Sequence, residues 1–126
     1  MTTTTIAPAV SLYEEIGGRP ALQAAVDVLY GRLLDDPELG WLFPSGVGAR
    51  QRAFVVAALG EALGGPERYR GPIIADAHRD LGITDAQFDR AAAHLSGALD
   101  ELWVPRPLAD QVIAIVAKLR WAIVTA

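Results

Sequence analysis

Tyr69-Arg70-Gly71-Pro72-Ile73-Ile74-Ala75-Asp76-Ala77-His78-Arg79-Asp80-Leu81-Gly82-Ile83-Thr84-Asp85-Ala86-Gln87-Phe88 carries one of the chain's two histidines on a short helical piece. Gly82 closes that piece. Thr84 with Gln87 three residues on is the pattern of a capping box, so a second helix starts there. The stretch therefore reads helix, glycine stop, helix start. The chain has no cysteine, so a transition metal held through a nitrogen ligand must use His78 or His94.

Working outward, the same logic holds on both sides. Ser11-Leu12-Tyr13-Glu14 reads as a capping box opening a short helix that Gly17-Gly18 ends. Pro20 suits the first position of a second helix. Leu22, Val26, Leu29, Tyr30 and Leu33 then recur at spacings of three and four, one apolar stripe that turns the Tyr30 ring inward. Asp35-Asp36-Pro37 breaks the chain, with the two carboxylates read as helix-end or solvated charges. Leu39-Gly40-Trp41-Leu42-Phe43-Pro44 is a short aromatic segment. A third helix begins at Ala49 with Gln51, Val55, Ala58, Leu59, Ala62 and Leu63 expected inward, and Gly64-Gly65-Pro66 stops it.

Downstream of the quoted stretch, Phe88, Ala91, Ala92, Leu95, Ala98, Leu99 and Leu102 form the buried stripe of a long helix. After Pro105 and Pro107, one last helix carries Leu108, Val112, Ile115, Val116, Leu119 and Ile123. No period-two strand and no internal repeat occurs. The pattern predicts an all-α fold with four substantial helices and short connecting pieces.

Composition narrows the function classes. The 126 residues make one domain by length, and 52% hydrophobic content is too apolar for disorder. Met1–Val10 is expected to be a loose leader, without the basic start and apolar run of a signal peptide, ahead of a domain over residues 11–126. No apolar run approaches the roughly 18 residues of a membrane span. The net charge of −4 argues against nucleic-acid binding. Absence of cysteine removes disulfides and iron–sulfur clusters and accords with a cytoplasmic protein.

Taken by itself, His78 is one histidine on a short helix, and such a residue is more often hydrogen-bonded than metal-ligating. His94, inside the long helix, is the weaker candidate. Tyr30 and Gln51 are polar groups on otherwise apolar faces; they satisfy each other or the backbone, or else they donate to a ligand. Phosphate loops, paired catalytic carboxylates and a zinc motif are not legible.

Several segments, taken in order, resemble one family. They are Leu12-Tyr13-Glu14-Glu15-Ile16-Gly17-Gly18; Tyr30 within Val28–Leu33; Phe43 in Trp41-Leu42-Phe43; Leu63-Gly64-Gly65-Pro66 with Tyr69 and Gly71-Pro72; and Ala77-His78 followed by Leu81-Gly82-Ile83-Thr84 and Phe88. The ordered set, which needs no gap between Phe43 and Phe88, is similar to the truncated haemoglobins of group I, with their two-over-two helical sandwich. The resemblance implies that His78 is the proximal ligand of haem b iron, Tyr30 the distal hydrogen-bond donor and Gln51 a second donor or gate. It implies a haem pocket of Phe43, Phe54, Val55, Leu59, Leu63, Tyr69, Ile74, Ile83, Phe88 and Leu95. Arg70, Arg79 and Tyr69 are the candidates for the haem propionates.

Three positions depart from family patterns. Val55 stands where a family subset keeps a second polar residue. Phe54 stands where some members place a histidine that closes the sixth iron site. Ala58 replaces a tunnel-gating phenylalanine. A distal network resting on Tyr30 and Gln51, and an open or water-bound sixth site, are therefore expected. The implied function is reversible binding of oxygen, nitric oxide and carbon monoxide. Nitric oxide dioxygenase activity is a further expectation, with iron reduced by a separate reductase or small reductant. A haem-based sensor or electron-transfer protein, and a haem-free globin-like interaction module, are the alternatives. A monomer or weak dimer is expected.

Overall fold

Apolar residues at helical spacing, punctuated by glycine and proline, produce helices throughout. A computed structural model describes residues 10–69 and 74–126, and among these it contains no strand. The order is α1 (Leu12–Glu15), α2 (Gly18–Asp35), a 3-10 turn at Gly40–Leu42, α3 (Ala49–Ala62), α4 (Ile74–His78), α5 (Asp85–Glu101), α6 (Arg106–Ala117) and α7 (Arg120–Ile123). Helix α2 packs on α3, α5 packs on α6, and α2 crosses α5 to join the two pairs. That is a two-over-two sandwich with four substantial helices, as expected. Residues 1–9 of the expected leader, together with Arg70, Gly71 and Pro72, lie outside the described residues.

The core sits where the pairs cross. Leu22 and Val26 of α2, Leu99 of α5 and Val112 of α6 are its largest fully buried side chains. Burying such a side chain contributes about 1.5–3 kcal/mol. Ala25, Ala98 and Ala109 are also fully buried, which lets the helix backbones approach.

The local signals behave as their chemistry requires. Thr84 and Gln87 complete a reciprocal capping box at the start of α5. At α1 the hydroxyl half of the box is formed, Ser11 Oγ accepting from the Glu14 amide. Helix α2 starts two residues before Pro20, with Gly17 as its N-cap at φ 115°. Proline is still tolerated in that first turn because its missing N–H would have no helical partner.

Two expectations need correction. The α3 face was read as one inward stripe, but Val56 is buried with Leu59 while Gln51 and Ala62 are exposed. One side of α3 packs on protein and another borders a cavity, so its apolar residues do not share one burial class. The last helix is two helices: α6 ends at Ala117 and α7 starts at Arg120. The apolar spacing runs unbroken through Val116, Leu119 and Ile123 because all three face the same cavity, so periodicity does not register the break. Helix α7 packs on α4, and beyond it the amides of Thr125 and Ala126 donate to the Ile83 carbonyl at 2.9 and 3.1 Å.

Candidate functional site

Between the helix pairs lies a cavity of about 740 Å³, walled by parts of α2 through α7. Its size falls among ligand pockets, which run about 300–1,000 Å³. The walls are mostly aliphatic and aromatic. Phe43, Phe54, Val55, Leu59, Tyr69, Ile74, Ile83, Phe88 and Leu95 all line it. Leu63 does not. It lies past the end of α3, buried in the core, and its carbonyl accepts the Tyr13 amide of α1.

His78 is the last residue of α4 and is half-buried in the cavity wall. Its Nδ1 lies 2.7 Å from the Ile74 carbonyl, one turn back. A carbonyl only accepts, so Nδ1 carries the proton and Nε2 of the neutral ring keeps a lone pair. The turn after α4 closes through the Leu81 amide on the His78 carbonyl and Gly82 at φ 63°.

His94 has the opposite situation. Its Nε2–H donates to Asp36 Oδ2 at 2.7 Å and its Nδ1 accepts from Arg32 Nε at 3.2 Å. Asp36, read from sequence as a helix-end or solvated charge, is buried, its side chain 2% exposed. It accepts from Arg90 at 2.5 and 3.0 Å and from the Glu38 amide at 2.8 Å. Arg90, then His94, holds the Asp36 carboxyl well below the usual carboxylate range against the opposing effect of burial. Both ring nitrogens of His94 are thus committed, and His78 is the one histidine on the cavity wall.

Tyr30 enters the cavity from α2, only 7% exposed, with its ring edge-on to Phe43 at 5.8 Å. Burial pushes the phenol's pKa up, while Gln51 and the Arg52 charge pull it back. The group is a neutral donor at neutral pH. Gln51 stands in the first turn of α3, its side chain beside the Tyr30 hydroxyl, so the two polar groups share one wall of the cavity. Val55 and Phe54, one turn on, add no polar group to this wall, and Ala58 leaves space there.

Sequence reasoning missed Arg50. It lies on the cavity lip with its guanidinium 5.4 Å from the Phe54 ring centre, and Phe54 meets Tyr69 edge-to-face at 6.1 Å. Helix periodicity does not reveal a cation at a cavity edge. Arg79, one of the propionate candidates, instead pairs with Asp76 on the surface and is off the wall; Arg70 lies outside the described residues. Val116, Leu119 and Ile123 were legible as an apolar stripe but not as cavity wall.

The donor set suits one kind of guest. No group of three or more potential metal-ligating side chains occurs among the described residues, so a bare ion has no ligand set. One imidazole with a free Nε2, in an apolar slot, instead fits a metal that brings its own planar ligands.

The chain is similar to known proteins over most of its length. The bacterial-like globin family model matches residues 11–125. A group 1 truncated haemoglobin of Synechocystis sp. is 37% identical over 109 residues, covering 83% of this chain and 88% of that protein. The truncated haemoglobin of Tetrahymena pyriformis in its Fe(III) form superposes with a TM-score of 0.87 at 26% identity, over 91% of this chain and 98% of that one. The 2/2 haemoglobin of a Synechococcus species gives 0.85 at 34% identity, over 93% and 100% of the two chains.

Proposed function

The chain belongs to the bacterial-like globins, among the group 1 truncated haemoglobins, and from that premise we propose that it holds haem b through His78 Nε2 and binds oxygen, nitric oxide and carbon monoxide reversibly beside Tyr30 and Gln51. The observation that carries this reading is the His78 ring itself: it sits in an apolar cavity with Nδ1–H fixed on the Ile74 carbonyl and Nε2 free.

Haem, when bound, supplies an iron that takes a diatomic gas and exchanges electrons with a reductant. The chain's residues do the rest. The Ile74 carbonyl fixes the tautomer and orientation of His78 and makes Nε2 a better donor. Tyr30 donates a hydrogen bond to the gas ligand, and the Gln51 amide serves as second donor or gate at the cavity lip. Phe43, Phe54, Val55, Leu59, Phe88 and Leu95 keep water away from that bond and strengthen it. Arg50 is the cation on the wall for a haem propionate, and Tyr69, which also meets the Phe54 ring, lines the same cavity. Among the described residues no second imidazole lines the cavity, so a bound haem would find no other histidine there.

Nitric oxide dioxygenation belongs to the same reading and needs electrons from a separate reductase. Absence of cysteine accords with a reducing compartment, and we place the protein in the cytoplasm as a monomer or weak dimer. No helix among the described residues is long and apolar enough to cross a membrane.

The test is the absorption spectrum of the purified chain, ferric and ferrous, with and without carbon monoxide, beside His78→Ala. A Soret band that shifts with carbon monoxide and is weakened or altered in the variant is expected. A wild-type chain that takes up no haem overturns the reading.

A further inference from the structure

We propose that Arg52 is a positioning residue of the distal wall: it clamps the Tyr30 ring from outside and so fixes where the Tyr30 hydroxyl enters the cavity. The role in gas binding rests on the haem reading above; the clamp itself does not. The guanidinium of Arg52 lies over the Tyr30 ring, 5.6 Å from its centre. Phe43 meets the same ring edge-on at 5.8 Å and 89°. Tyr30 is therefore held by two different contacts, one apolar and one cationic.

The arginine is itself held. Its Nη1 donates to Asp27 Oδ1 at 2.9 Å, and its Nε reaches toward the Val47 carbonyl at 3.4 Å. Asp27 precedes Tyr30 by three residues on α2. Residues at that spacing are neighbours on one helix face, so a guanidinium that pairs with Asp27 is delivered beside the Tyr30 ring. Among the described residues this is the one ion pair joining α2 to α3. It also ties the turn before α3 to both helices. The Arg52 side chain is 29% exposed and Asp27 is 66% exposed, so the tether is reached by solvent while the ring it holds is not.

Orientation matters because the polar group beside the Tyr30 hydroxyl, the Gln51 side chain, is itself exposed. The ring is buried, so what grips the ring also sets where the hydroxyl points. A planar fork that bonds Asp27 while its face covers an aromatic ring is arginine chemistry. Lysine keeps the charge but loses the fork.

The experiment compares wild type, Arg52→Ala, Arg52→Lys and Asp27→Asn by two readouts on the full chain. The first is the C–O stretching band of the carbon monoxide-treated, haem-loaded protein, which reports hydrogen-bond donation to the gas. The second is the ring-carbon signal of Tyr30 in ¹³C-tyrosine NMR, assigned with Tyr30→Phe among the chain's three tyrosines. Arg52→Ala is expected to raise and split the C–O band and to move the Tyr30 signal while Tyr13 and Tyr69 stay in place. Gas release should quicken about two- to fivefold, the worth of one exposed cation–π contact. Arg52→Lys and Asp27→Asn should give smaller changes in the same direction. A C–O band and a Tyr30 signal unchanged in Arg52→Ala overturn the proposal. If Arg52→Ala loses its helical circular dichroism, the two milder variants decide on the same readouts. If the wild-type chain takes up no haem, the haem reading falls, and the Tyr30 signal alone decides the clamp.

Discussion

His78 and His94 show how little the identity of a residue settles. Both lie on helices of the same chain. One has both nitrogens occupied by Asp36 and Arg32, and the other keeps Nε2 free toward a cavity. Tyr30 carries the analogous question on the other wall. Tyr30→Phe removes one net hydrogen bond, worth about 0.5–1.5 kcal/mol, so oxygen release should quicken about two- to tenfold in stopped flow. An unchanged rate would remove Tyr30 from the distal role. Asp36 is expected to contribute to acid stability. Its folded pKa is depressed, so its ionised form is fully stabilising at neutral pH. Below about pH 4 an unfolded aspartate takes a proton that the folded one resists, and stability falls with falling pH. Asp36→Asn should lower the melting temperature at pH 7 and flatten the acid limb. An acid limb as steep as wild type would assign that slope to other carboxylates.

At the scale of elements, the helix ends store most of the local information, and one of them is unusual. The α5 C-terminus closes with the Trp103 amide on the Asp100 carbonyl and the Val104 amide on the Leu99 carbonyl, both at 3.0 Å. This is a Schellman closure, which asks for glycine at the left-handed position. Trp103 occupies it at φ 62° and is 91% exposed, so it bears the backbone strain with little packing in return. Trp103→Gly should raise stability by about 0.5–1 kcal/mol in denaturant unfolding. A loss instead would mean that the indole makes contacts that offset the strain. Between α3 and α4 the constraint is spatial. Tyr13 donates to Glu67 at 2.5 Å, and a Cβ on Gly65 would sit 2.6 Å from the Tyr13 ring and 2.7 Å from the Glu67 carboxylate. The double glycine read as a helix stop is also the room that this pair occupies.

For the whole molecule, the cavity is the dominant fact. An apolar space of about 740 Å³ at the meeting of six helices lets one bound group contact side chains from all of them at once. A group that binds only the folded chain stabilises it by mass action, about 4 kcal/mol at a thousandfold excess over its dissociation constant. Haem removal should therefore shift the urea midpoint down, and added haem should restore it. Equal midpoints with and without haem would deny that the cavity is its seat.

The sequence alone determined the helices, most of their boundaries, the all-α class and the resemblance to truncated haemoglobins. Those features rest on local chemistry: apolar spacing, capping residues, glycine and proline stops. It also named His78, Tyr30 and Gln51, because they interrupt apolar stripes or match an ordered motif. Only the tertiary structure decided the rest. The burial of Asp36 depends on Arg90 and His94, which lie 54 and 58 residues away along the chain. The split between α6 and α7, the eviction of Leu63 from the cavity wall, and the arrival of Arg50 and Arg52 beside it follow from how the helix pairs cross. Periodicity along one helix says which residues share a face; it does not say whether that face meets protein, cavity or solvent.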